Sequence, residues 1–385
     1  MAGGVGWWGV RYFLLMIAVL ALVGGCCSTP KIIPNKADAK EDADWRVYLG
    51  GKERNLYSSL KQINRDNVAK LEVAWTFETG DKAEYQANNL IVDGLLYTPT
   101  PTRKVVALDA ATGEVRWTWD PAKDGPGAGR ARQRGLVYWE NEEGGERRLL
   151  TGVAGMLFAL DPATGKELWT CQGIPDRGYV CPSVVAEAGV VYAIGGRQNT
   201  ALAIKLGGRG DVTASHLLWK ANRGSNVSSP VIAAGHLHWF HERRGTAYCL
   251  DAKTGKLDLE FGVQGVVDLD ESLPPGRINR NISHSAPVIV VADTIVVGSA
   301  INDFPLRNNS PPGHIRGYDV LSGRLNWIFY SIPQQGQAHN ETWENDSWRA
   351  AGATNVWTPM SADDELGLVY LPVGTPSHNW YGGHR

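Results

Sequence analysis

One ten-residue phrase recurs along this chain without gaps. It reads LDAATGEVRW at 108–117, LDPATGKELW at 160–169, LDAKTGKLDL at 250–259 and YDVLSGRLNW at 318–327. Each copy is Asp-x-x-[Ser/Thr]-Gly-x-x-x followed by an apolar residue, Trp in three of the four. A degenerate copy, DVTASHLLW at 211–219, keeps the Asp-to-Trp spacing and loses the Gly, and KLEVAWTF at 70–77 supplies an isolated closing strand with one more Trp. A unit that recurs at a fixed period must bury its apolar face against copies of itself, which restricts the fold more than composition does.

The phrase encodes a hairpin. The apolar run VVAL at 105–108 ends on Asp109, whose carboxylate can accept backbone N–H groups inside the turn, with Thr112 as a weaker helper. Gly113 supplies the left-handed conformation that other residues resist. EVRWTW then returns beside the first strand with alternate residues inward, and the terminal indole can fill the space between neighbouring sheets. Upstream of the hairpins lies a second pattern, of the kind P-x-V-x-x-G-x-x-Y: NNLIVDGLLYTP (88–99), CPSVVAEAGVVYAIGG (181–196), SSPVIAAGHLHWF (228–240), SAPVIVVADTIVVGS (285–299) and TPMSADDELGLVYLPVG (358–374). That is two more strands per unit. Four antiparallel strands every ~40–50 residues predict an all-β protein, a β-propeller rather than a β-sandwich, because a sandwich does not need one identical hairpin at a near-regular period. About six blades are countable. The interval 262–284 reads as a polar, Pro-rich insertion, and 60–71 as a short-helix candidate.

Outside the repeats, Arg11, the apolar run at 12–23 and the following GGC give the charge, core and small-residue order of a secretory signal over 1–26. VGGC also resembles the bacterial lipobox, which would place a lipid on Cys26, an exported chain in the periplasm and an anchor in the membrane. Residues 27–43 read as a polar tether and 44–385 as the propeller. Export permits a disulfide, and Cys171 and Cys181 are near enough in sequence to bridge adjoining strands, although free buried thiols fit equally well. A formal net charge of −2 offers no electrostatic footprint for nucleic acid. His236 and His238 share a face of one strand; with no third ligand in phase, a solvated face is expected.

The repeat resembles the pyrroloquinoline quinone (PQQ) repeat. Two longer blocks, 44–81 extending to about 170 and 281–385 with ETWENDSWRAAGATNVWTPMSADDELGLVYLPVG and the closing YGGHR, resemble the N-terminal portion of membrane-associated quinoprotein dehydrogenases of the glucose/quinate type. The middle is similar to generic PQQ-like propellers. The resemblance implies an eight-bladed ring, of which the six countable blades would be an incomplete part, together with PQQ, a Ca²⁺ or Mg²⁺ ion, a sugar or polyol substrate and a respiratory electron acceptor. It implies Trp357 as the surface beneath the cofactor, Arg134, Gln86 and Trp139 around it, and Asn302, Asp303 and Ser377 at the cation. The family's catalytic Asp lies in a His-His-Asp-x-Trp-Asp segment that this chain does not contain, so no catalytic residue is assigned. The family's acidic Asp-Asn pair is reversed to Asn302 and Asp303, its Glu is Gln86, and its Asn and Asp in the final motif are Thr375 and Asn379. These departures imply weak PQQ binding by this polypeptide alone. They also admit a different class of reading, a lipid-anchored scaffold that binds another envelope protein.

Overall fold

A computed structural model describes residues 44–376, apart from 83, 124–133, 175–181, 196–198, 274–281 and 302–309. All of them fall in one compact unit, Ala39–Arg385. The first sheet comprises β1 (Leu90–Val92), β2 (Leu95–Pro99), β3 (Val105–Asp109) and β4 (Val115–Trp119), hydrogen-bonded in chain order. The second has β5 (Val137–Glu140), β6 (Arg147–Val153), β7 (Met156–Leu160) and β8 (Glu167–Gln172). The third uses β9 (Val185–Glu187), β10 (Val190–Gly195), β11 (Thr200–Lys205) and β13 (Leu217–Ala221). The fourth has β14 (Val231–Ala233), β15 (His236–His241), β16 (Thr246–Asp251) and β17 (Val266–Asp268). The fifth has β19 (Ile289–Val291), β20 (Thr294–Val297), β22 (Ile315–Asp319) and β23 (Leu325–Phe329). A sixth, β24 (Ser361–Asp363) with β25 (Leu368–Tyr370), has two strands among the described residues. The innermost strands neighbour one another in sequence, β9 with β14, β14 with β19 and β19 with β24, as sheets fanned about an axis require. The fold is a β-propeller whose described sheets do not close a ring.

The core lies between sheets, and the repeated phrase builds it. Trp75 packs on Gly113, Trp117 on Gly165 and Trp219 on Gly255, so each indole docks on the hairpin glycine of the next unit. A methyl group at those three glycines would stand 2.4–2.5 Å from the ring, and their φ values of +67° to +75° already exclude most side chains. Each indole Nε1 then donates to the carbonyl of the residue after the next unit's Asp: Ala110 at 3.2 Å, Pro162 at 2.9 Å and Ala252 at 2.9 Å. The Asp carboxylates close the turns as read from sequence. Asp109 accepts from Ala111 and Thr112, Asp161 from Ala163 and Thr164, Asp251 from Thr254 and Asp319 from Leu321 and Ser322.

Several local expectations need correction. The 250–259 hairpin does not return as a strand: after a single bridge, Leu250 to Leu257, the chain leaves the sheet. β17, inside the supposed insertion, completes it by pairing Thr246 with Asp268. The cause is Leu259, which stands where the others carry Trp, gains no dock and is 68% exposed; Phe261, 1% exposed, fills the gap against Gly323 instead. The degenerate copy forms no tight hairpin. β12 (Gly210–Asp211) adds parallel to β8, and the helix α1 (Thr213–His216) carries the chain into β13. Residues 70–77 are not paired as a strand although Trp75 docks, and 60–71 contains only a short 3-10 turn, Val68–Lys70. β18 (Ile282–Ser283) pairs with β21 (Ala300–Ile301) beside the fifth sheet. Cys171 is a free, buried thiol; Cys181 lies outside the described residues, as do the signal-like segment, Cys26 and the tether. No helix among the described residues is long and apolar enough to cross a membrane.

Candidate functional site

The topology gives every sheet two distinct ends. The β1–β2 type of turn and the Asp-x-x-Thr-Gly turn share one end, because β2 pairs Leu95 with Asp109. The connection entering each innermost strand therefore arrives at the other end. Gln86 stands four residues before β1, Arg134 three before β5 and Trp357 four before β24, so the three occupy equivalent places at that end. Asn302, Asp303 and Ser377 lie outside the described residues, but the chain reaches this same end at Ile301 and at Pro376, just before them.

Local contacts tie these approaches together. Asn355, two residues before Trp357, donates its side-chain amide to the Ser299 carbonyl at 2.7 Å and accepts from the Gly374 amide at 3.0 Å. Ala353 bridges Pro312 on one side and Pro376 on the other. Gly298 permits this closeness, since a methyl group there would lie 2.3 Å from the Val356 carbonyl. Trp357 itself is 61% exposed, a planar face open to solvent. Arg134 is held by its backbone, whose carbonyl accepts from the Asn88 amide at 3.2 Å, and its Nε is buried without a hydrogen-bond partner. It lines a cavity with Thr151, Ser183 and Cys171. Gln86 is exposed.

Trp139 is placed differently. It lines a cavity of about 590 Å³ that runs along the innermost strands β5, β9, β14 and β19. Residues 44–54 cross that cavity as a strap and contribute Arg46, Tyr48, Lys52 and Arg54 to its lining. The strap pairs Trp45 with Ile91, Arg46 with Glu140 at 2.8 Å and Lys52 with Asp364 at 2.7 Å. Arg54 donates to the carbonyls of Pro287 and Val288 at 3.2 and 2.7 Å, and burial pulls its guanidinium down to about 10. The two cavities share Val137, Ser183 and Val184, and Trp357 lines neither.

A buried polar cluster between the fourth and fifth sheets was not anticipated. Glu242 accepts from the Ser225 hydroxyl at 2.9 Å and from the amide and side chain of Asn226 at 3.1 and 2.8 Å. Burial works to raise its pKa, but these donors prevail and hold it below the usual carboxylate range. His284 gives its amide to the Glu242 carbonyl, and its Nδ1 meets the Gly298 carbonyl at 3.0 Å. Burial, with Arg316 nearby, drops that imidazole to about 3 and keeps it neutral. Arg316 is 0% exposed; it donates to the Leu269 carbonyl and to Ser272, while its Nε and Nη2 have no partner. The only sequence signal was the alternation in IRGYD, which turns Arg316 inward with Tyr318.

Chemically, this end of the ring offers an exposed indole plane and a guanidinium with donor capacity to spare. Such a pair suits a flat ligand that bears carboxylates.

Comparison with known proteins bears on the fold and the family. The family model for the β-propeller domain of PQQ-type glucose/ethanol/alcohol dehydrogenases matches residues 45–188 and 218–385. Quinoprotein glucose dehydrogenase A of Acinetobacter calcoaceticus is 26% identical over 93% of this chain and 36% of its own length. The quinate/shikimate dehydrogenase (quinone) of Acinetobacter baylyi is 27% identical over 90% of this chain and 34% of its own. The chain thus spans about a third of these curated relatives. Among solved structures, quinohemoprotein alcohol dehydrogenase from Comamonas testosteroni superposes with a TM-score of 0.56 at 19% identity, covering 86% of this chain and 58% of that one, a likeness of fold. With the family model matched over both blocks on either side of the third sheet, the chain belongs to the β-propeller family of the PQQ-dependent glucose/ethanol/alcohol dehydrogenases.

Proposed function

We propose that this chain is the cofactor-cradling propeller of an exported PQQ-dependent dehydrogenase that oxidises a sugar or polyol hydroxyl at the periplasmic face, and that it works as the N-terminal part of a longer ring. The observation that carries the reading is the gathering of Gln86, Arg134 and Trp357 on equivalent approaches at one end of the sheets. The glucose and quinate dehydrogenase relatives align over nine tenths of the chain. Further blades are supported by the sixth sheet, where Leu368 and Tyr370 are 47% and 54% exposed, a surface that neighbouring strands would cover. The signal-like segment and Cys26 support an anchored protein that passes electrons to the respiratory chain.

The residues present fit the cofactor. Bound PQQ would supply the two-electron acceptor for alcohol oxidation. Trp357 would offer it a stacking face, Arg134 a partner for a carboxylate and Gln86 a polar neighbour, whereas Trp139 lines the separate cavity along the innermost strands. Asn302, Asp303 and Ser377 carry the oxygen donors that Ca²⁺ or Mg²⁺ prefers. No residue of this chain is assigned the role of proton acceptor. Titrating PQQ with Ca²⁺ into the protein should quench tryptophan fluorescence and shift the quinone absorbance, with Trp357→Ala weakening binding at least tenfold. Absence of quenching would remove the cofactor and leave the envelope-protein scaffold. In a longer protein, a dye-linked assay that stays at baseline with glucose would remove the substrate class.

A further inference from the structure

The fourth sheet departs from its neighbours at three positions at once. Opposite the Trp that ends the phrase the other hairpins place a small residue: Ala107 faces Trp117, Ala159 faces Trp169 and Gly317 faces Trp327. In the fourth sheet that position is Cys249, two residues before Asp251, and the Trp is missing. The partner of the hairpin Asp also differs. It is Leu95 in the first sheet and Thr294 in the fifth, but His236 in the fourth. Asp258, the residue before the lost Trp position, turns back toward both. Its amide donates to the Cys249 carbonyl at 3.1 Å. Donor atoms of His236, Cys249 and Asp258 lie within 4.8 Å of one another, and His236 Nε2 stands 3.1 Å from Asp258 Oδ2.

His236 Nδ1 sits 2.9 Å from the Ala234 carbonyl, which can only accept, so Nδ1 carries a proton. That leaves Nε2 facing Asp258 Oδ2 at 3.1 Å, close enough for the two atoms to share one cation. A backbone carbonyl behind a histidine is the support that metal-bound imidazoles use. A second imidazole stands beside the group, outside the set that lies within 4.8 Å. His238 pairs with Cys249 across the strands, its ring centroid is 6.3 Å from that of His236, it is 1% exposed, and neither ring nitrogen has a hydrogen-bond partner. An imidazole buried this deeply without partners is costly.

We propose that His236, Cys249 and Asp258 form a structural site for a divalent transition metal of the zinc class, which His238 joins as fourth ligand by turning its ring toward the three. Thiolate, imidazole and carboxylate donors select that class over Ca²⁺ or Mg²⁺. The ion clips the root of the 258–265 excursion to β15 and β16, where the other hairpins rely on a docked indole. The site lies at the Asp-turn end of the sheet, opposite the approaches that carry Trp357, and does not depend on the PQQ reading.

The probe is Co²⁺ added to chelator-treated full-length protein, followed by competition with Zn²⁺. One equivalent should produce a thiolate-to-cobalt charge-transfer band, and Zn²⁺ should abolish it. Cys249→Ala should remove the band, and His236→Gln and Asp258→Asn should each weaken Zn²⁺ binding by roughly tenfold or more. His238→Phe should do the same. Zn²⁺ should also raise the melting temperature of the unaltered protein and leave that of Cys249→Ala unchanged, a readout that serves if the single variants fold poorly. A missing band, or a band that persists in Cys249→Ala, overturns the site. Unchanged affinity in His238→Phe overturns its place as the fourth ligand.

Discussion

Replacing Gly165 by Ala isolates what the docked indole contributes. Gly165 has φ +70°, and an added methyl would lie 2.5 Å from the Trp117 ring. Gly189, in the turn between β9 and β10, has φ +75° and nothing within 4 Å of the same position. Both substitutions carry the left-handed backbone cost of about 1–2 kcal/mol. Only Gly165→Ala must also displace the indole, which adds about 1–3 kcal/mol of overpacking. It also breaks the bond from Trp117 Nε1 to the Pro162 carbonyl, worth about 1 kcal/mol. Gly165→Ala should therefore cost roughly 3–6 kcal/mol and Gly189→Ala roughly 1–2. Urea unfolding at unchanged slope reads the difference as a separation of midpoints of about 1 M. In the double variant with Trp117→Ala, the glycine substitution should cost no more than its backbone strain, because the clash is gone. Equal midpoints for Gly165→Ala and Gly189→Ala would show that the indole is not docked on its neighbour's turn.

Trp169 tests the same device from the donor side. It is 1% exposed and its Nε1 has no partner, because the third unit lacks the Asp-x-x-Thr-Gly turn that supplies the acceptor. Trp117→Phe should thus lose about 1 kcal/mol more than Trp169→Phe beyond the change in packing, measured by denaturant midpoint. Phe261→Ala, which empties the space against Gly323, should cost about 3–5 kcal/mol in the same assay. His284 has a folded pKa of about 3 against 6.5 unfolded, so below 6.5 the unfolded chain binds more protons. Stability should fall as pH drops from 6.5 toward 3, by up to about 1.4 kcal/mol per unit, and His284→Gln should flatten that slope. Arg54→Met should free the strap and speed amide exchange at Val288–Val291, whereas Lys52→Ala, which removes only the exposed pair with Asp364, should change stability by less than about 1 kcal/mol.

The legible part of the fold is the part encoded within a few residues. Asp109 reaches Ala111 and Thr112, and Asp319 reaches Leu321 and Ser322, so the turn can be read before anything is known of its surroundings. The dock is also legible once the turn is seen, since Trp117 needs a residue without a side chain beneath it and the repeat supplies Gly165. The reading failed where one term of that pair changed. Leu259 is apolar and keeps the strand pattern, but it cannot span to the next unit, so nothing holds the strand against its sheet and the chain swings out until Phe261 finds the space. Polarity patterns do not distinguish an apolar residue that docks from one that merely alternates.

The site divides in the same way. Arg134 and Trp357 come from the resemblance to family motifs, and the structure sets both in connections that enter an innermost strand. The cluster of Glu242, His284 and Arg316 could not be located, because its partners are far apart in the chain. Arg316 meets the Leu269 carbonyl across 47 residues, and Asn355 meets the Ser299 carbonyl across 56. Strand alternation turns Arg316 inward but cannot say whether it meets a carboxylate, a carbonyl or an apolar wall. The structure resolves this with an imbalance. Arg316 leaves two nitrogens unpaired, and Asp270 leaves one oxygen unpaired. Burial and Asp268 push the Asp270 carboxyl up, against the pull of Arg316. An interior that served packing alone would shed such groups, since an apolar residue of similar volume is usually no less stable there. Arg316 lies one residue into β22 opposite Val297, which puts this buried charge at the same end of its sheet as the approaches that carry Arg134 and Trp357.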